Sequence, residues 1–213
     1  MRQFEAMGMV LARVLRLLKD NQPEAALRLV DEEIESLTGF DTDTLCRLSH
    51  QDLVTGPALL ETDADVHAKR LLLTTLLSKA GEIHDLLGHE DAHVGCLLTA
   101  LELRMDTPHA IPDGLPVAIP IAADLAEALN GYLLPPATNL RLFRYYEENS
   151  LFADAEDQFF SMLDEEPESP ELLELGIAFY ERLLNLPDDE LEEGGLPREE
   201  VVASLEEIKG LGD

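Results

Sequence analysis

The chain has 213 residues, 46% of them hydrophobic, which is ample for a sizeable core in one domain or two small ones. Asp and Glu number 44 against 15 Lys and Arg, giving a formal net charge of −29. A surface of that sign repels phosphate backbones and anionic lipid, and no Lys/Arg stripe offsets it, so neither nucleic acid nor membrane is expected as a partner.

Leu and Ala dominate the apolar residues, aromatics make up 5%, and Trp is absent. Leu and Ala keep their freedom in a helix, and no segment alternates strictly between apolar and polar, so the expected fold is all-α. No stretch reaches about 18 consecutive apolar residues, the length a bilayer requires. Glu5, Arg13 and Arg16 interrupt the apolar run from Phe4 to Leu18, unlike a secretory signal. Cytoplasmic residence is therefore expected.

The first helix is read from Phe4, Met7, Val10, Leu11, Val14, Leu15 and Leu18, spaced at the helical period. Asn21-Gln22-Pro23 breaks it, and Pro23 suits the first turn of a second helix that runs to about Leu37 before Gly39. Short helical turns follow around Thr44–Leu48 and after Ser49. A long helix starts near the caps Thr62 and Asp63 and continues to Leu87. Gly88 ends it, and another helix reaches about Met105. Pro108, Pro112, Pro116 and Pro120 then exclude a regular helix, marking a connector over 107–120. Beyond it come a modest helix (121–130) closed by Gly131, and helices at about 138–149, 152–165, 170–185 and 197–209. Cys46 and Cys96 are distant in sequence and lie in helical patterns, so two buried free thiols are expected rather than a disulfide.

A repeat emerges in the second half. From about Pro136 to Ser169, one helix shows Leu142 and Tyr146, the next shows Ala155, Phe159 and Met162, and Pro167 closes the unit. The following helix carries Leu172-x-x-Leu175-Gly176-x-x-Phe179. This pattern resembles the tetratricopeptide motif of about 34 residues, in which a small residue lets two helices approach and a proline ends the unit. An earlier unit fits Leu77, Ala80-Gly81, Gly88, Leu97, Ala100 and Leu101, and a weaker one Leu17, Ala26 and Val30. Phe143 and His93 stand where the motif prefers small residues, and Asp188–Leu196 interrupts the fourth unit. The expectation is a single domain over 1–213, an irregular tetratricopeptide-like α-α superhelix of about 8–10 helices. Its N-terminal pairs span about 1–106 and its C-terminal pairs about 121–213. Through Glu24–Leu37, Leu140–Leu163 and Gly176–Val201 the chain also resembles an uncharacterised bacterial family of tetratricopeptide-like proteins, which implies the fold and no activity.

Chemistry-bearing patterns are few. His89-Glu90-Asp91-Ala92-His93 matches His-Glu-x-x-His, in which two histidines one turn apart hold zinc and the Glu activates metal-bound water. His84 across the turn and Glu102 downstream are the available third ligands. The position just after Gly88 favours a polar helix start, where acids complement the helix dipole. Asp41-Thr42-Asp43, Asp63-Ala64-Asp65 and Asp188-Asp189-Glu190 read as helix caps and first-turn acids, because none has an EF-hand's glycine and terminal glutamate. No cofactor and no catalytic residue is expected.

Binding is the better expectation. In the arrays the motif resembles, the first helix of each pair lines a groove, which here implies Leu140, Arg141, Arg144, Glu147, Leu173, Ile177 and Tyr180. Arg141 and Arg144 suit a partner's carboxylate, or pair with Glu147 or Glu148. The sequence thus reads as a non-catalytic protein- or peptide-binding scaffold, with self-association through the Phe4–Leu18 face. The rivals are a metal-dependent hydrolase on His89, Glu90 and His93, with His84, and an acidic decoy for a basic protein. From Glu147 to Asp213 there are 22 acidic and three basic residues, so any cationic partner is expected at that half.

Overall fold

The computed structural model describes residues 2–48, 50–55, 63–107 and 118–211. Thr62 and most of the proline-rich connector lie outside them, as do the side chains of Phe4, Asp63 and Asp65. The described residues form helices and no strand. In chain order these are α1 (Arg2–Lys19), α2 (Pro23–Thr38), α3 (Thr42–Cys46), α4 (His50–Thr55), α5 (Asp63–Leu86) and α6 (Glu90–Met105), followed by α7 (Ala122–Ala128), α8 (Pro136–Glu148), α9 (Phe152–Glu165), α10 (Pro170–Leu183), α11 (Asp188–Glu193) and α12 (Arg198–Leu211). Twelve helices among the described residues exceed the eight to ten expected. The additions are short: α3 and α4 are single turns that dock well enough to persist, and α11 forms inside the interruption at Asp188–Leu196.

Two compact units divide the chain, residues Met1–Leu133 and Leu134–Asp213. Helix α7, grouped by the sequence with the C-terminal pairs, belongs to the first unit because it packs on α6.

In the first unit α5 is central, with α2 against one side and α6 against another, while α1 packs on α2 and α3, α4 and α7 lean on α6. Seven successive residues of α5, Leu71 to Leu77, are buried. A helix buried around its whole circumference is one with neighbours on all sides, and each of the five leucines in this run contributes about 1.5–3 kcal/mol relative to exposure. Gly81 sets the spacing to α6: a Cβ there would stand 2.9 Å from Leu97 Cδ2. The expected stops hold. Gly39 (φ 78°) and Gly88 (φ 72°) take the left-handed conformation that closes α2 and turns the chain from α5 to α6.

Arg104, in the last turn of α6, is buried at 1% exposure. Its Nε donates to the Pro120 carbonyl (3.2 Å) and its Nη1 to the Thr107 carbonyl (3.1 Å). One guanidinium therefore fixes the chain on both sides of 108–117.

The second unit pairs α8 with α9 and α10 with α12. Its core is aromatic: Phe143 meets Phe179 edge-on at 5.2 Å between centroids, and Phe159 meets Phe143 at 6.3 Å and Tyr180 at 6.4 Å. Gly176 lets α10 come down onto this cluster. Arg198 ties α12 back to the preceding turn, pairing with Asp188 and donating to the Leu184 carbonyl (3.0 Å) and the Leu186 carbonyl.

An alanine Cβ at Gly176 would lie 2.4 Å from Cζ and 2.7 Å from Cε2 of Phe159, a ring with no exposed surface and no room to retreat. Gly176→Ala is expected to lower stability by about 1–3 kcal/mol through overpacking. Urea denaturation followed by circular dichroism checks this; an unchanged midpoint would contradict the packing described.

Candidate functional site

A concavity of about 540 Å³ lies in the first unit. Asp31 and Glu35 of α2, the Asp41–Arg47 segment, His84 near the end of α5, and Asp91, Ala92, Gly95 and Cys96 of α6 line it. The α6 residues recur at helical spacing and so form one face of that helix.

Five of the twelve lining residues are carboxylates. Asp41 caps α3, accepting from the Thr44 N–H and hydroxyl, both at 2.8 Å, as its sequence position implied. The Thr44 N–H, with the hydroxyl adding to it, holds this carboxyl below the usual carboxylate range. Asp31 accepts from the Thr42 hydroxyl (2.7 Å), which ties α3 to α2, and Asp43 pairs with Arg47 at 2.9 Å. Glu35 and Asp91 are exposed and have no partner among the described residues.

The two cysteines face each other here. Cys46 Sγ and Cys96 Sγ are 3.8 Å apart, both unbonded thiols, with Cys96 buried and Cys46 half-buried. Both are free thiols as expected, but only Cys96 is buried as well. The pair shares its protons unequally. The Cys96 thiol beside Cys46 lowers the latter's pKa, with Thr99 assisting against burial and the charges of Asp43 and Asp31. Cys96 is raised, first by that same contact and then by burial. Cys46 ionises first.

His89-Glu90-x-x-His93 does not converge. His89 precedes α6 as its N-cap, and its Nδ1 lies 3.3 Å from that of His84. His93 turns elsewhere: its Nδ1 is 2.9 Å from the Gly81 carbonyl, its ring packs 5.9 Å from that of Tyr132, and it lines a second cavity of about 640 Å³ with Asp124 and Leu125 of α7. A carbonyl only accepts, so His93 Nδ1 carries the proton. Among the described residues no group of three His, Cys, Asp or Glu side chains could hold a metal ion. No helix there is long and apolar enough to cross a membrane.

The residues assigned to a groove lie in the second unit and have diverse fates. Leu140, Arg141, Leu173 and Ile177 are half-buried and Arg144 is exposed. Glu147 is held by Arg182 in a bidentate pair (2.7 and 2.9 Å), rather than by the arginines of its own helix. Tyr180 is a core residue with no exposed surface, and its hydroxyl donates to Glu156 (2.7 Å). Burial, with Glu156 next, pushes its pKa far up. Helix α12 packs on α10, on which Tyr180 lies.

Sequence reasoning missed the cysteine pair and the acidic cavity around it. Cys96 stood one helical turn beyond Ala92 on the α6 face, a visible signal. What covers that face is α3, five residues long, and nothing in its composition says where it docks.

The fold and this cavity define an all-helical protein with an acidic, thiol-containing recess. The chain belongs to a family of unknown function (DUF6483), matched over residues 1–212. No curated protein and no solved structure matches it.

His84 ionises less readily than an ordinary histidine, chiefly through burial and then through the charges of His89 and His93, with Asp31 opposing. Its folded pKa lies below 6.5, so protonation favours the unfolded chain. The stability it contributes is intact above that value and is lost as the pH falls below it towards the folded pKa. Between about pH 7 and about pH 5, Tm should fall more steeply for the wild type than for His84→Gln. Parallel curves would refute the assignment.

Proposed function

We propose that the chain is a non-catalytic, tetratricopeptide-like binding module of the bacterial cytoplasm that receives a basic segment of a partner protein in the acidic recess of its first unit. The observation that carries this reading is the recess itself. Five carboxylates (Asp31, Glu35, Asp41, Asp43 and Asp91) meet one guanidinium, Arg47, which is already paired. A lysine or arginine side chain fits a volume of about 540 Å³, and Glu35 and Asp91 offer it unengaged charge. The net charge of −29 adds long-range attraction for the same partner. The tetratricopeptide-like character is supported by the α8/α9 and α10/α12 pairs, with Ala155 and Gly176 where helices approach most closely. Free thiols suit a reducing compartment. Binding moves from the groove expected around Tyr180 to the first unit because Tyr180 and Glu147 are already engaged.

Selection from a random displayed-peptide library tests this. Retained peptides should be rich in Lys and Arg and should bind more weakly as salt rises. Glu35→Gln with Asp91→Asn should weaken them about tenfold, or about 1.4 kcal/mol, while Arg144→Ala should leave affinity unchanged. Neutral peptides, or affinity indifferent to the double substitution, would overturn the proposal.

A further inference from the structure

We infer that Cys46 and Cys96 form a redox-active pair: a site where the chain is reversibly oxidised by peroxide to an intrachain disulfide joining α3 to α6. The inference stands apart from whatever occupies the recess.

Three features of the geometry point there. First, the sulfurs are 3.8 Å apart, so bonding at about 2.05 Å requires a closure of less than about 2 Å. Second, no side chain separates the two helices at this point. A Cβ at Gly95 would lie 3.7 Å from Cys46 Cβ, so α3 rests directly on the α6 backbone beside Cys96. Third, the two thiols differ in access. Cys46 is half-buried on the wall of an open recess, whereas Cys96 is 2% exposed behind it. Helix α3 is also held as a defined element by Leu45 in the core, the Asp41 cap and the Thr42–Asp31 hydrogen bond. Cys46 is therefore presented in a fixed place.

The roles follow from access and ionisation. Cys46, the more accessible thiol and the first to ionise, attacks peroxide as the thiolate. An S–O bond forms, the O–O bond breaks, and the departing hydroxide is protonated to water, leaving Cys46 as a sulfenic acid. Cys96 then attacks the Cys46 sulfur: the S–S bond forms and the S–O bond breaks. The expelled hydroxide leaves as water with the Cys96 proton. Two thiols and one hydrogen peroxide become one disulfide and two waters, a two-electron oxidation of the protein matched by two-electron reduction of peroxide. A dithiol reductant reverses it by exchange. Among the described residues no group of three His, Cys, Asp or Glu side chains is placed to hold a metal ion, which favours this chemistry over a metal centre.

The test treats the full chain with hydrogen peroxide, blocks remaining thiols by alkylation and maps peptides by mass spectrometry without reduction. A dominant Cys46–Cys96 crosslinked peptide is expected, in a protein that stays monomeric on non-reducing electrophoresis, melts several degrees higher than the reduced form and reverts with dithiothreitol. Cys96→Ser should trap a dimedone-reactive sulfenic acid at Cys46, and Cys46→Ser should slow oxidation of Cys96 at least about tenfold. The wild-type result decides the matter even if a variant folds poorly. Two thiols still fully alkylatable after peroxide, disulfides only between chains, or oxidation of Cys96 undiminished in Cys46→Ser would overturn it.

Discussion

Helix α5 can lie close against α6 because Gly81 has no side chain to hold them apart; a single added carbon would meet Leu97 at 2.9 Å. That approach sets the rotation of α6 about its own axis. It brings His93 to the Gly81 carbonyl and directs the Asp91, Ala92, Gly95 and Cys96 face towards α2 and α3. The recess, the thiol pair and His93 all involve α6, the helix that this contact seats against α5. Five leucines among seven successive buried residues of α5 pack it against its neighbours on the sides it presents to them.

Much of the fold was legible in the sequence, for local reasons. Pro23, Gly39 and Gly88, and Pro136 at the start of α8, are residues whose backbone chemistry stops or starts a helix, and the helix ends fall beside them, whereas α7 ends at Ala128, short of Gly131. Tertiary choices were less legible. Periodicity identifies the apolar face of α10 but not its cover, so Tyr180 was assigned to a groove although α12 seals it. The interruption at Asp188–Leu196 left open how the chain returns to α10 for that second helix. Arg198 resolves this by pinning the interruption to the end of α10. The candidate site was least legible. Its cysteines are 50 residues apart, and their meeting depends on where a five-residue helix docks.

Charge is unevenly shared between surface and site. The last 67 residues hold half of the 44 acids, largely on exposed helix faces where they solvate the unit and complement helix N-termini. In the first unit fewer carboxylates converge on one hollow, and convergence rather than number gives a charge local consequence. The two thiols share that hollow with five carboxylates, so an anionic oxidant is disfavoured relative to neutral peroxide.

Arg104 has a consequence for how the chain can change over evolutionary time. By holding the carbonyls of Thr107 and Pro120 from a buried position, it fixes from α6 the distance between those two points of the chain. Chain anchored at both ends by a third party can be lengthened at little cost, about 0.6 kcal/mol for each doubling of a flexible loop. Relatives should thus tolerate insertions between those anchors more readily than replacement of the arginine, and an engineered tag or a grafted domain belongs at the same place.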